Sequence, residues 1–526
     1  AGNTATTVYD ARFDQPSVVT NPLGKTTCCR YDIRGRKTVE YGTAVQPACF
    51  GYDEAGRMVS LTTYRADAGD ITTDPTERTD GDTTTWTYHE ATGLLTRKTC
   101  ADGTHEDTVY NALNLKATFT DARGMTTTYG YNLKKGVNTS MAFSDGIPGR
   151  QFVWNPLNQL FRVTDGSGTR NIGYNQYAEP ETDSIAIGGT TYLLTETRDS
   201  SGRGTGYTLA GGSEIIQDVR QGYAANGRLA GTGIMRGEEE KTFTYGYLQG
   251  TSLLSSLTMP SEIVKELSYE QHRDLVIGMA CTRGETILVS RTRTYDALGR
   301  PNACTQQRGT ETARTDSFSY NDRSELTGAM LGNDAYGYGY DNIGNRKTVQ
   351  EKADDIAYMA NELNQYTSIT ENGKTPFAPQ FDAAGNQTLL KTATGVWTVI
   401  YNAENRPVSF TGHDGNTVVE CGYDDQGRRC MKKVTVNGTV TSHERYLYRG
   451  YLQIAALDML NGRNVLRTIL WGSDGTGSDK TAGAGAGQCP LLLRKRLQQE
   501  RHGGVRRAGD YRCCLRLLTV RNSYNY

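Results

Sequence analysis

The 526-residue sequence contains no run of 18 consecutive apolar residues, so no segment can cross a bilayer as a helix. It has no charge of one sign to speak of. A formal net charge of −1 excludes a whole-chain field that draws in nucleic acid. Eleven Cys, about 2% of the chain, are too few for a disulfide scaffold. Phe is scarce at 11 against 32 Tyr, and the apolar set is only 36%. Counting Gly in and Tyr out gives about 41%, below the usual range of about 45–50%. Aromatic surface that mostly carries a hydroxyl suits half-wet sheet faces better than one dry core. The six His (His89, His105, His272, His413, His443, His502) share no metal-ligand spacing, and Cys28-Cys29 with distant Cys49 fits no zinc pattern. No G-x-S-x-G element or Cys/His pair is present, so neither catalysis nor a metal or other cofactor is expected. Gly24-Lys25-Thr26 lacks the upstream Gly of a phosphate loop, because position 19 is Val. The chain opens Ala1-Gly2-Asn3 without a Met or a basic-then-apolar leader, and is read as an internal fragment.

What the sequence does contain is a repeat: an aromatic residue, Asp or Asn, two variable residues, Gly or Asn, then often Arg. It reads Tyr31-Asp32-x-x-Gly35-Arg36, Tyr52-Asp53-x-x-Gly56-Arg57 and Tyr295-Asp296-x-x-Gly299-Arg300. It continues as Tyr340-Asp341-x-x-Gly344-Asn345, Phe381-Asp382-x-x-Gly385-Asn386, Tyr401-Asn402-x-x-Asn405-Arg406 and Tyr423-Asp424-x-x-Gly427-Arg428. Looser copies start at Tyr9, Tyr88, Tyr110, Tyr131, Trp154, Tyr174, Tyr223 and Tyr320. Copies such as 31 and 52, 88 and 110, 110 and 131, 320 and 340, 381 and 401, and 401 and 423 lie 20 to 22 residues apart, one supersecondary unit. An Asp or Asn that bonds its own backbone, followed by a residue tolerant of positive φ, makes a tight reversal. The flanks alternate and are rich in Thr, Val, Tyr and Leu, as in Thr84-Thr85-Trp86-Thr87-Tyr88, so the unit is a β-hairpin. Stacked hairpins predict a long antiparallel ribbon that curls, with a ladder of aromatics along one phase. The turn Arg is expected over a neighbouring Tyr ring or against the turn Asp of another repeat. Helical periodicity is almost absent; Asp354–Leu363 is the best short candidate. Residues 184–290 depart from the period, with 49 residues from Tyr174 to Tyr223, and are read as holding one or two degenerate repeats, such as those around Tyr192 and Tyr207, or an insertion. Cys421 and Cys430 flank the Asp424–Gly427 turn symmetrically. A pairing of Tyr423 with Arg428 would set them face to face as a disulfide or as two thiols.

On these motifs, and on Leu267–Leu275, Tyr340–Arg346 and Asn361–Tyr366, the chain from about residue 5 to Trp471 resembles the RHS/YD-repeat family: bacterial RHS proteins, toxin-complex C components and teneurins. The resemblance implies an all-β fold wound as a spiral shell, with an extracellular or cell-surface setting in bacteria. It also implies a passive wall around a C-terminal effector polypeptide that this chain does not include. An adhesin-like module, binding cell-surface glycans or proteins through Tyr-rich faces, is the alternative.

The character changes after Trp471. Residues 472–526 hold ten Lys/Arg and four acids, +6 against −7 for the rest, with the run Ala482-Gly483-Ala484-Gly485-Ala486-Gly487. Back-translation with one base removed after Trp471 restores repeat grammar, including Y-G-N-D, F-D-A-Q-G and Y-D-Y-S-P-F-G. The tail is therefore read as a frameshift product without a native fold, against a genuine variable C-terminal segment. The expected organisation is a shell over 1–471 and this tail over 472–526.

Overall fold

The computed structural model describes residues 3–65, 72–471 and 477–481. These form 42 β-strands and one three-residue 3-10 helix, Pro75–Glu77. No helix among the described residues is long and apolar enough to cross a membrane. The strands from Thr6 to Glu371 belong to one 32-stranded sheet and those from Gln380 to Thr481 to a ten-stranded sheet. Pairing is antiparallel and runs between chain neighbours, as in Ala48–Tyr52 with Met58–Thr63 and Thr417–Tyr423 with Arg429–Val436. This follows from the sequence: short alternating strands joined by tight turns pair with what is nearest along the chain.

The chain divides into two compact units, Ala1–Thr108 with Val219–Ala378, and Val109–Asp218 with Pro379–Tyr526. In the first unit most strands fully bury no apolar side chain, and the others bury one or two, such as Val39, Ile234, Ile263, Met279 and Val349. Sparse burial is what a low apolar content dictates. The second unit is drier. Leu390, Trp397, Val399, Phe410, Val419, Cys421 and Val434 pack as one cluster. Ile454–Leu457 are 0–1% exposed, an apolar run covered on both faces of its strand.

One expectation changes in the structure. Asp354–Leu363 is not helical: Asp354–Ala360 is a strand whose exposure alternates, and Asn361–Gln365 is another copy of the repeat turn. The long interval from Tyr174 to Tyr223 contains one further repeat turn, Asp199–Arg203. Its strands, Thr190–Arg198 and Gly204–Gly211, run to nine and eight residues, so the period stretches. The expectation for residues 472–526 falls outside the described residues except for Gly477–Thr481, whose backbone pairs with Arg467–Trp471.

Candidate functional site: the repeat turn, its rungs and the seams

The turn is the unit from which the walls are built. In Asp32–Arg36 the Asp32 N–H donates to the Arg36 carbonyl and the Gly35 N–H to the Asp32 carbonyl, both at 3.0 Å. Asp32 Oδ1 accepts the N–H groups of Arg34 (2.8 Å) and Arg36 (3.0 Å), and Oδ2 accepts Arg36 Nε (2.6 Å). One carboxylate thus satisfies two orphan donors and a guanidinium. Arg57 on Asp53, Arg300 on Asp296 and Arg428 on Asp424 repeat the ion pair within their own turns. Where the exit residue is Asn, its amide donates instead, Asn345 to Asp341 and Asn386 to Asp382. Asn402 keeps the two backbone bonds, from Glu404 and Arg406. The fourth residue of the turn is left-handed, with φ of 74° at Gly35 and 78° at Gly427; Gly56, Gly299, Gly344 and Gly385 match them, and Asn405 takes the place at 58°. The side-chain bond from Arg36 holds the Asp32 carboxyl below the usual range. A carboxylate depressed on folding contributes stability that is complete above pH 3.8 and lost as pH falls through the folded value. The acid limb of unfolding is therefore expected below pH 3.8 and, in an Asp32→Asn variant, shallower; an acid limb already complete at pH 5 contradicts this.

The aromatic before each turn is a rung. Tyr31 donates its hydroxyl to the Pro16 carbonyl (2.7 Å), Tyr52 to Lys37 (2.9 Å) and Tyr295 to Val276 (2.6 Å). Tyr340 donates to Leu326 (2.8 Å), Tyr401 to Gln387 (3.1 Å) and Tyr423 to Pro407 (3.0 Å). Every acceptor sits on the preceding hairpin, just after its turn, which explains why the repeat uses Tyr in preference to Phe. Trp154 and Trp471 make the same link through the indole N–H, to Asn138 and Gln453. Phe381 has no hydroxyl to donate, and it stands on the two-residue strand that opens the ten-stranded sheet. The Arg of one turn covers the ring of the next rung: Arg36 over Tyr52 at 4.7 Å, Arg300 over Tyr320 at 4.6 Å, Arg428 over Tyr448 at 4.8 Å. The Arg thus lies on a neighbouring ring as expected, but it pairs with the Asp of its own turn, because the five-residue loop brings Nε back onto that carboxylate.

Each rung Tyr also starts a β-bulge, as between Gly51/Tyr52 and Gly339/Tyr340. In seven of these rung hairpins, the pair just before the bulge is a Gly against a Ser or Thr. Gly51 faces Ser60, Gly130 faces Ser140, Gly173 faces Thr182, Gly246 faces Ser256 and Gly339 faces Thr348. In two hairpins the order is exchanged, Ser268 with Gly278 and Ser319 with Gly328. A Cβ on Gly51 would stand 2.2 Å from Ser60 Oγ and 3.5 Å from its Cβ, so a side chain there forces the Ser60 hydroxyl out of its present rotamer. Gly51→Ala is expected to cost about 1–3 kcal/mol. The exchanged pair Gly51→Ser with Ser60→Gly is expected to recover most of it in denaturant unfolding; a double variant no better than Gly51→Ala would refute the fit.

The bulge also decides Cys421 and Cys430. Tyr423 pairs with Arg429, not Arg428, and the register then slips so that Cys421 faces Lys432. Both cysteines are buried and stand as thiols, not as the disulfide considered from the sequence. Burial pushes the Cys430 thiol up to about 11, so it is a poor nucleophile at neutral pH.

Within each unit, segments far apart in the chain meet along a seam of arginines. In the first unit Lys25 pairs with Asp322 (2.9 Å), and Arg65 reaches Asp82 (2.5 Å) and the Ala360 carbonyl (3.1 Å). In the second, Arg123 donates to the Asn402 carbonyl (2.9 Å), Arg150 pairs with Glu404, and Arg170 pairs with Asp425 (3.2 Å). Arg449 holds Glu196 with two bonds of 2.6 and 2.8 Å, and Arg445 donates to the Ser167 carbonyl (2.6 Å). A narrow cleft in this seam is lined by Arg170, Asp183, Asp424, Asp425, Arg428 and Cys430, among others. No group of three or more His, Cys, Asp and Glu among the described residues is placed to hold a metal.

This combination of turn, rung and antiparallel ladder has counterparts. Residues 273–456 match the family model described as the teneurin YD-shell. The match covers about a third of the chain. A crystal structure of TcdB2-TccC3-TEV superposes with a TM-score of 0.63 at 14% identity, covering 88% of this chain and 27% of that one. A structure of the Photorhabdus luminescens Tc holotoxin pore gives 0.61, also at 14% identity and with the same coverage. At that identity the likeness establishes the fold. A tRNA nuclease WapA from Bacillus subtilis (strain 168) is 30% identical over 144 residues, 26% of this chain and 6% of that protein. The chain thus spans 27% of each of those two structures' chains and 6% of the nuclease.

All the turn residues singled out in the sequence lie at equivalent positions of equivalent turns. They are strung along the wall and do not converge on one centre. Three features lie outside the aromatic-led motif. The turn Asp199-Ser200-Ser201-Gly202-Arg203 follows Arg198 in place of an aromatic, although it carries the Asp-x-x-Gly-Arg pattern. The Gly/Ser complement was readable as Gly-Tyr followed by Ser or Thr eight to ten residues on. The seam arginines had no local signal, because their partners are 250 residues and more away.

Proposed function

We propose that this chain is a structural wall, which encloses or displays a polypeptide belonging to the same larger protein, and that it is not a catalyst. The observation that carries this reading is the internal use of the repeat's polar groups. The turn carboxylates, their arginines and the rung hydroxyls bond to their own or adjacent hairpins, so the residues that recur most stiffen the sheet. Rigid, extended ribbons of this kind suit containment, and the wall would sit outside the cell with the protein that bears it. Limited proteolysis of the natural full-length protein tests the reading. A downstream segment protected while this region is intact, and digested once it is nicked, is the expected outcome; equal digestion in both states would count against enclosure.

A second reading has one observation in its favour. Tyr177 and Tyr451, outside the rung positions, are 75% and 73% exposed. Rings presented in this way suit a glycan- or protein-binding surface. Saturable glycan binding lost in Tyr177→Ala or Tyr451→Ala would favour an adhesin-like module.

A further inference from the structure

In the second unit the segment Val109–Asp218 has turns along two edges of its sheet. The turns on one edge are already engaged in the seam. Arg123 donates to the Asn402 carbonyl, Asp145 Oδ2 accepts the Ala403 N–H (2.6 Å), and the Ser167 carbonyl accepts Arg445. The opposite edge carries the rung turns, and there the residues differ. Four consecutive turns open on Asn in place of Asp: Asn111, Asn132, Asn155 and Asn175. Each presents an apolar side chain, and Leu113, Leu133, Leu157 and Tyr177 are 52, 61, 73 and 75% exposed. The Asn side chain fixes these tips, accepting the N–H of Leu113 (2.9 Å), Leu157 (3.0 Å) and Tyr177 (2.9 Å) two residues on. The next residue of each of these three turns is left-handed, with φ of 60° at Asn114, 59° at Asn158 and 65° at Ala178, so the three side chains leave equivalent positions. In Asn132–Gly136 the leucine stands one place earlier. Neighbouring tips touch: Lys135 Nζ donates to the Asn155 carbonyl (3.3 Å) and Gln159 Nε2 to the Ala178 carbonyl (2.8 Å). The following turn, Asp199–Arg203, returns to an ion pair and ends the apolar row.

We propose that this row of turn tips is a docking track for an extended, polyproline-like peptide with an apolar residue at every third position and acidic residues between. Neighbouring strands pair without a break from His105–Tyr110 to Pro180–Ile187, so successive tips lie two strand spacings apart, about 9.5 Å. A polyproline helix turns once in three residues and advances about 9.3 Å, so every third side chain meets one tip. A β-strand sends every third side chain to alternate faces and cannot follow the row. An α-helix returns to one face after seven residues, about 10.5 Å, and drifts about 3 Å out of step over the four tips. A polyproline segment has no internal hydrogen bonds to break, and it bends with the twist of the edge. Lys134 and Lys135 are exposed beside Leu133, and none of the four tips carries an acid, so an acidic peptide complements the row. The track lies along the edge of the sheet and does not depend on what the wall encloses.

Fluorescence anisotropy with the full chain and a labelled peptide of four Leu-Pro-Glu triplets tests this. Saturable binding is expected. It should weaken about tenfold or more in Leu133→Asp and in Leu157→Asp, each of which sets a charge against an apolar anchor. Leu23→Asp, at an exposed turn of the first unit, should bind as the wild type does. Unchanged circular dichroism checks that the variants fold. Lys134→Glu together with Lys135→Glu should weaken binding and flatten its salt dependence. Absence of binding overturns the proposal, as does equal binding of the same residues in shuffled order. So does a helical peptide with leucine at every seventh position that binds as tightly or more so, or full binding by both leucine variants.

Discussion

Asp424→Ala is expected to destabilise the hairpin Thr417–Val436 by about 3–5 kcal/mol, the range for removing one partner of a buried ion pair. Asp424 is 5% exposed and accepts from the Gln426 and Arg428 N–H groups as well as from the guanidinium. Without it, Arg428 loses its ion pair and keeps the Tyr448 ring, the Gly450 carbonyl and the more distant charges of Asp425 and Asp183, in a place where little water reaches it. Asp424→Asn is expected to cost roughly half as much, since Asn402 shows that an amide holds the same two backbone donors. Hydrogen-exchange protection across that hairpin is the appropriate measure, because a long hairpin array need not unfold in one step. An alanine variant within about 1 kcal/mol of wild type would mean that the turn carboxylate is replaceable by solvent.

A comparable loss, about 2–5 kcal/mol, is expected for Leu457→Ala. Leu457 is 0% exposed and ends the run Ile454–Leu457, buried on both faces. The deleted methyl groups leave a cavity between strands already paired on both sides, Thr439–Arg449 and Asn464–Trp471, which have little room to collapse into it. The control is Leu157→Ala at an exposed turn tip, where the change should stay within about 0.5 kcal/mol. Equal midpoints for the two variants in denaturant would show that the second unit has no privileged core.

The contrast between these residues shows what a sequence can express. Asp424 is legible because its partners, Gln426 and Arg428, lie two and four residues away, and turn chemistry of that range is local. The Tyr423 rung is nearly as legible, reaching one repeat back to Pro407. The strand at Asp354–Ala360 was misread because a short apolar-polar pattern serves a helix and a strand alike until its flanking turn is recognised. The Cys421–Cys430 pairing failed over a single residue: the bulge at Tyr423 inserts one position, and one position turns a facing side chain away.

The order of the strands, their antiparallel pairing and the dress of each turn were determined by the amino-acid sequence alone. Every interaction that specifies them spans at most about one repeat, and the same solution is written many times over. The seams were decided only by the tertiary structure. Arg123, Arg150, Arg170 and Arg449 find partners 250 to 279 residues away, chosen by how the ribbon curls within a unit, and no spacing along the chain encodes that curl.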